Sequence, residues 1–450
     1  MALSKTVIFD VRRSEPELVR ALTRNPTSKN YEIKHLSDID DQEGLRFLVP
    51  IIFFYPSCQS STASDPVQTI RDALAKALET YYPLAGRVFE GPNRKLMIHC
   101  NNEGALFVRA EAHVKLEQLG DGLRPPFHFF EKLLADVPGS GAIIGTPILY
   151  LQVTRFICGG FSLGILLNHT VADGAGLKQF LEAVGELAKG AAAPSVPPVW
   201  SREVLNARSP PEITYVHHEF DRTLSSTDHP RNLVYPYDTF VLTSVFFGQK
   251  EIRALSNQLL QKSPISSFDM ITACLWKCRT IALEPHPEDT VLISILTNVR
   301  HPRFGLSIPR GYYGNAFAYP AAISKANILC TSPLSYGVEL IRKTKLELSK
   351  EYVKSVADLL VIKGRPKYVD MWNYIVSDLR RLEMDKVDLG WGNARFGGIP
   401  WATPTISFYS SYRENGEGEG VVVPISLPAM AMEKFQYEMK KMTRESISKV

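Results

Sequence analysis

The chain has 450 residues, 45% of them hydrophobic and 22% charged, the balance of an ordinary globular protein able to bury a large core without disulfides or metals. Its formal charge of +4 comes from 51 basic and 47 acidic residues, with no dense basic run interleaved with aromatics. That argues against a nucleic-acid partner and leaves room for a polyanionic small molecule. No run of ~18 apolar residues is present and the first apolar run is too short for a secretory core, so a cytoplasmic protein without a membrane span is expected. The ending Ser448-Lys449-Val450 only approximates a peroxisomal Ser-Lys-Leu.

In chain order, residues 47–54 read as a strand. Residues 65–81 place Val67, Ile70, Leu74 and Leu78 at steps of three and four, an amphipathic helix that stops at Tyr82-Pro83. Strands are expected over 148–156 and 161–168. From Gly190 to Thr214 prolines cluster without an apolar period, which reads as a crossover between two halves. A helix over 268–283, a strand over 291–296 and a helix over 335–360 follow. Two apolar runs, 405–409 and 421–425, flank the glycine-rich stretch 414–420 and suggest a hairpin. The coarse picture is an α/β protein of two halves. Its six cysteines, Cys58, Cys100, Cys158, Cys274, Cys278 and Cys330, contain no C-x-x-C pair. Cys274 and Cys278 share a helical face and could hold a metal, but with no second ligand pair nearby they read as buried thiols, and no metal site is expected. Free thiols suit a reducing compartment.

Residues 148–174 carry the most chemistry. Gly160-Phe161-Ser162-Leu163-Gly164 matches the G-x-S-x-G nucleophile elbow of serine hydrolases. Gly159-Gly160 between two β-like runs instead reads as a hairpin turn, which puts Ser162 inside a strand. Asn168-His169-Thr170 matches a glycosylation sequon that, without a secretory signal, is accidental. His169 leaves the strand where a neutral imidazole can face a cavity and take a proton from an attacking group. Asp173, four residues on, could orient His169 directly or face away and pair with a distant arginine. Gly174 and Gly176 allow a close turn into a helix starting near Leu177. On these residues alone, His169 as a satisfied core histidine stays open beside the general base.

The surrounding blocks decide more. Asn168-His169-Thr170-Val171-Ala172-Asp173-Gly174 resembles the H-x-x-x-D signature of the BAHD acyltransferases, and Asp388-Leu389-Gly390-Trp391-Gly392 resembles that family's D-F-G-W-G. Tyr312-Tyr313-Gly314-Asn315-Ala316, with Asn298-Val299-Arg300 before it, is similar to the G-Y-x-G-N block, and Tyr82-Pro83-Leu84-Ala85-Gly86-Arg87 to Y-P-x-A-G-R. Val11-Arg12-Arg13, residues 36–42 and residues 355–366 resemble the benzyl alcohol O-benzoyltransferase group, which includes volatile-ester alcohol acyltransferases. The resemblance implies two similar chloramphenicol-acetyltransferase-like domains with a tunnel between them. Along the chain these are 1–190 with the His169 motif, 191–214 as crossover, and 215–450 with the Asp388 motif, segments being free to exchange.

It further implies a monomeric enzyme that moves an acyl group from acyl-CoA, a co-substrate and not a resident cofactor, to a small alcohol. His169 would be the base, Asp173 would pair with Arg300, and Asp388, Gly390, Trp391 and Gly392 would support the fold. Leu389 replaces the motif phenylalanine, and residues 304–309 lack the family's P-P-L-P run. For the coenzyme's phosphates, Lys262, Ser266 and Ser267 at a helix start are candidates, with plain capping as the alternative. Ser37, Asp38 and Ser377 are candidates for the acceptor side, with turn or capping roles equally available. N-acylation, hydrolysis through Ser162 and non-catalytic binding of acyl-CoA are the rival readings.

Overall fold

The computed structural model describes residues 9–22, 31–57, 65–120, 123–137, 141–225, 239–259, 265–370, 372–414 and 418–444. Three sheets organise it. In the first the order is Val11–Arg13, Ala105–Ala112, Leu149–Phe156, Phe161–Asn168, Leu48–Tyr55, Phe396–Gly398, with Glu17–Val19 also on Ala105–Ala112. In the second it is Phe240–Phe247, Gly418–Pro428, Ile406–Glu414, Asn373–Asp378, Thr290–Asn298, Phe317–Ala318, with Ala321–Lys325 also on Thr290–Asn298. A small third sheet holds Ile33–His35, Leu96–His99 and Arg87–Glu90.

Side-chain alternation explains how both large sheets are covered. Successive strand residues point to opposite faces. In Leu48–Tyr55, Ile51, Phe53 and Tyr55 pack into the core shared with helices Pro66–Thr80 and Gly174–Ala188, while Ile52 and Phe54 join Phe127 and Phe396 on the other side. In the second sheet Ile293, Ile295, Tyr374, Val376 and Tyr409 meet helices Ser267–Leu283, Leu334–Glu347 and Ala429–Met442. The residues between them, Leu296, Ile375, Ser377, Ile406 and Phe408, face the first half across a cavity.

Most expected elements stand within a residue or two. Asp65 caps Pro66–Thr80 through its side chain, and the strand over 161–168 has the expected bounds. The helix over 335–360 is two helices, Leu334–Glu347 and Lys350–Ile362. Ser349 has extended backbone and its hydroxyl accepts from the amide of Tyr352, so it starts a second helix where apolar spacing alone runs on. The helix expected near Leu177 begins at Gly174, because Asp173 caps it. The hairpin pairs Ile406–Glu414 with Gly418–Pro428, and its 415–417 tip lies outside the described residues.

The crossover 191–214 is an extended strap. Val199 bridges to Tyr312, Trp200 Nε1 donates to the His35 carbonyl at 3.1 Å, and Arg208 Nε reaches Asp358 at 2.6 Å. Residues 384–399 run back into the first half: Met384, Val387, Leu389, Trp391 and Ile399 belong to its core, and Phe396–Gly398 pairs antiparallel with Leu48–Tyr55. We propose the division at 190, 191–214 and 215 as one of chain order, with this segment exchanged. Cys100, Cys274 and Cys278 are buried free thiols, and Cys58 lies outside the described residues. Among the described residues no group of three or more His, Cys, Asp or Glu could hold a metal, and no helix is long and apolar enough to cross a membrane.

Candidate active site

His169 sits directly after Phe161–Asn168, its amide bonded to the Phe47 carbonyl at 3.0 Å. Its ring lies 5.4 Å from Phe47 and 6.1 Å from Phe317 by centroids. Nδ1 is buried without a hydrogen-bond partner among the described residues, and the residue lines the cavity. Burial pushes the imidazole below its ordinary pKa, against opposing pulls from its own carbonyl, Asp173 and Asn315. The lowered pKa favours the neutral ring, the form able to accept a proton.

The cavity, about 180 Å³, lies between the two large sheets. Val49, Ile51 and Leu167 line it from the first half, and Leu296, Ile375, Ile406 and Phe408 from the second. Its wall is mostly apolar, with Ser377 among the few hydroxyls. Such a space excludes water and strengthens the polar interactions made inside it.

Asp173 faces away from His169 in its hydrogen bonding. Both its oxygens accept from Arg300, at 2.8 and 2.9 Å, and they also take the amides of Gly176 at 2.9 Å and Ala316 at 3.0 Å. Burial alone would raise this carboxyl; Arg300 and the two amides hold it below the usual carboxylate range. Arg300 also donates to the Gly314 carbonyl, so the pair joins the helix of the first half to the 312–316 block. Of the two options for Asp173, the arginine pairing is the one present. Gly176 is needed for that approach: a Cβ there would stand 1.9 Å from the Tyr313 carbonyl oxygen.

Sequence reasoning missed a second buried joint. Asp40 accepts from Ser37 Oγ at 2.7 Å, Arg202 Nη1 at 3.0 Å, and Asn315 N and Nδ2 at 2.9 and 2.8 Å. Asn315 Nδ2 also donates to the His169 carbonyl at 2.8 Å, and Arg202 Nη2 to the Val171 carbonyl at 2.9 Å. The backbone around the histidine is thus held from both halves. Asp40 and Asn315 lay in motif blocks, but Arg202 sits in the aperiodic crossover, where no spacing signalled it.

The other candidates fall in different places. Asp388 Oδ1 accepts from the amides of Gly390 and Gly392, each at 2.8 Å, and Lys189 Nζ reaches Oδ2 at 2.9 Å. Both glycines have left-handed φ, of 107° and 79°. Trp391 packs edge-on to Phe161, and none of these residues lines the cavity. Ser377 does line it. Ser37 and Asp38 do not: Ser37 is fully buried against Asp40, while Asp38 pairs with Lys95 and the Asn206 and Ala207 region. Ser266 caps Ser267–Leu283 by accepting from Asp269 N at 3.1 Å, and Ser267 Oγ accepts from Arg380 at 3.3 Å. Lys262 lies outside the described residues. Ser162 is buried within its strand, its hydroxyl without a partner among the described residues, which is no nucleophile elbow. Leu389 fills the motif's aromatic position with no exposure.

Two sheet-bearing α/β halves closed on a histidine-walled cavity define a chloramphenicol-acetyltransferase-like acyltransferase fold. Known proteins agree. A model of the Transferase family matches residues 21–442. Alcohol acyltransferase 16 of Actinidia chinensis var. chinensis is 50% identical over 447 residues, spanning 98% of this chain and 95% of its own. Benzyl alcohol O-benzoyltransferase of Petunia hybrida is 48% identical with the same coverage. The crystal structure of vinorine synthase superposes with a TM-score of 0.72 at 20% identity, over 98% of this chain and 100% of that one. F. sporotrichioides TRI101 complexed with coenzyme A and T-2 gives 0.69 at 17% identity, over 91% and 98%. At those identities the structural likeness is one of fold. The chain belongs to the Transferase family, the BAHD acyltransferases, and is an enzyme of acyl transfer.

Proposed function

We propose that this enzyme transfers an acyl group, benzoyl favoured over short or branched ones, from acyl-CoA to the hydroxyl of a small alcohol or specialised metabolite. The observation that supports it most directly is that His169, its pKa lowered by burial, lines a mostly apolar cavity between the two large sheets. The relatives named as an alcohol acyltransferase and a benzyl alcohol O-benzoyltransferase support the acceptor and donor classes. Acyl-CoA is a co-substrate, and nothing is held permanently. We further propose a cytoplasmic monomer.

His169 Nε2 takes the alcohol proton as the oxygen adds to the thioester carbonyl. The tetrahedral adduct collapses, the carbon–sulfur bond breaks, and the thiolate recovers the proton from His169 to leave as free CoA. Holding both substrates in one cavity supplies much of the rate through orientation. Asp173 and Arg300 keep the joint behind the base, and Ser377 is assigned to the acceptor. The coenzyme is assigned to the side of Asp378 and Leu382. There a second opening shares Ala175 and Leu382 with the cavity and is lined by Lys178, Arg310 and Arg381, three cations against the two carboxylates of Glu182 and Glu383. Cations around a mouth concentrate a polyanion.

Thiol release from benzoyl-CoA and acetyl-CoA, with benzyl alcohol and a mixed alcohol pool, tests this reading. Release should depend on the alcohol and vanish in His169→Ala. Release that persists without His169 would overturn the mechanism, and a stable acyl group carried on Ser162 or Cys158 would overturn direct transfer.

A further inference from the structure

The two ends of the cavity differ in chemistry. One meets the second opening, lined by charged groups of both signs, at Ala175 and Leu382. A row of rings that do not line that opening starts at His169 itself. Phe317 lies 6.1 Å from His169, Tyr319 lies 6.3 Å from Phe317, and Tyr368 lies 6.5 Å from Tyr319. All four line the cavity, as do Phe47, Leu45 and Gly44 on the facing flank.

The row ends where Tyr368 rests on Gly44. A Cβ at Gly44 would stand 2.9 Å from Tyr368 Cδ1 and 3.0 Å from Cε1. The backbone at Gly44 is not left-handed, so the ring, and not the fold of the chain, asks for glycine. The two segments are also tied by charge. Arg365 Nε, three residues before Tyr368, meets the buried Asp41 at 2.7 Å, three residues before Gly44, and Arg46 holds the same carboxylate at 3.0 Å. Tyr319 is fixed through its hydroxyl to Gln42 at 2.8 Å. The Tyr368 hydroxyl makes no hydrogen bond among the described residues, so its ring is placed by packing alone.

Resting on the acyl-transfer reading, we infer that Tyr368, seated on Gly44, closes the acceptor end of the cavity and sets the length of alcohol the enzyme takes. The alcohol oxygen must meet His169, and the aromatic row leads from that ring to residues that do not line the coenzyme's mouth. The carbon chain of an aliphatic or arylalkyl alcohol then lies along Phe317 and Tyr319 and stops at Tyr368. No charged group of this end faces it, which suits an apolar tail.

The test measures kcat/KM for straight-chain primary alcohols from butanol to decanol with benzoyl-CoA. A second arm varies the donor from acetyl-CoA to octanoyl-CoA with butanol fixed. Wild type is compared with Tyr368→Ala, Tyr368→Leu, Tyr368→Trp and Gly44→Ala. Each methylene in an apolar pocket can change selectivity by about tenfold or more. The decanol-to-butanol ratio should therefore rise at least about tenfold in Tyr368→Ala and Tyr368→Leu, and fall in Tyr368→Trp and Gly44→Ala. The donor ranking should stay as in wild type. An unmoved alcohol ratio in active Tyr368 variants, or a shift in donor ranking in its place, overturns the inference. A wild-type enzyme inactive with every alcohol would sink the acyl-transfer reading and this inference with it.

Discussion

At the scale of single residues, the protonation of His169 sets the expected pH behaviour. Burial lowers its pKa, so the base stays neutral further into the acid range than a solvated imidazole. The acid limb of kcat/KM should fall below the ordinary imidazole value, near 6.5. A limb at or above that value would show that the ring is not desolvated as described. Asp173 is shifted in the same direction, by its arginine partner and not by burial. Its folded pKa is depressed, so its contribution to stability is full above the usual carboxylate range and is lost as pH falls through the lower folded value. Asp173→Ala leaves Arg300 facing a part-buried gap, at a cost of about 3 kcal/mol. Arg300→Ala should cost a similar amount, and the double variant clearly less than the two together, measured by urea unfolding.

At the scale of elements, two small groups decide where helices begin and how they approach. Ser349→Ala removes the cap of Lys350–Ile362 and should cost about 1 kcal/mol in urea unfolding. Gly176→Ala forces a methyl against the Tyr313 carbonyl oxygen and should cost about 1–3 kcal/mol while lowering kcat, since the displaced block carries Asn315. An undisturbed kcat in that variant would detach the 312–316 block from the base. What could be read beforehand follows the same logic. Strands and helices with an unbroken apolar period were legible, and so was the place of His169 at a strand end facing a cavity, since its motif is contiguous. The break at Ser349 was not, because apolar spacing continues through it and only the local cap interrupts the helix. For Ser37, read for the acceptor side or for a turn, the local turn contact is the one present, its side chain being used by Asp40 three residues on. The joint of Asp40, Arg202 and Asn315 spans the chain, and no local pattern records a partner far away in sequence.

At the scale of the whole molecule, the first core is incomplete without residues from the second sequence half. Leu389, Trp391 and Phe396 are buried there, and Phe396–Gly398 supplies the strand beside Leu48–Tyr55. Residues 1–214 expressed alone should therefore expose a hydrophobic face and an unpaired strand edge. They should aggregate or need 215–450 supplied in trans, while the full chain should unfold in one calorimetric transition. Two well-separated transitions would contradict this exchange. The same crossing strand bears on how the protein is made. Synthesis runs from the N-terminus, yet the first half has to wait for residues 396–398 before its sheet can be finished. Until those residues emerge that half is an open template, and a chaperone has the most to protect in the interval before they arrive.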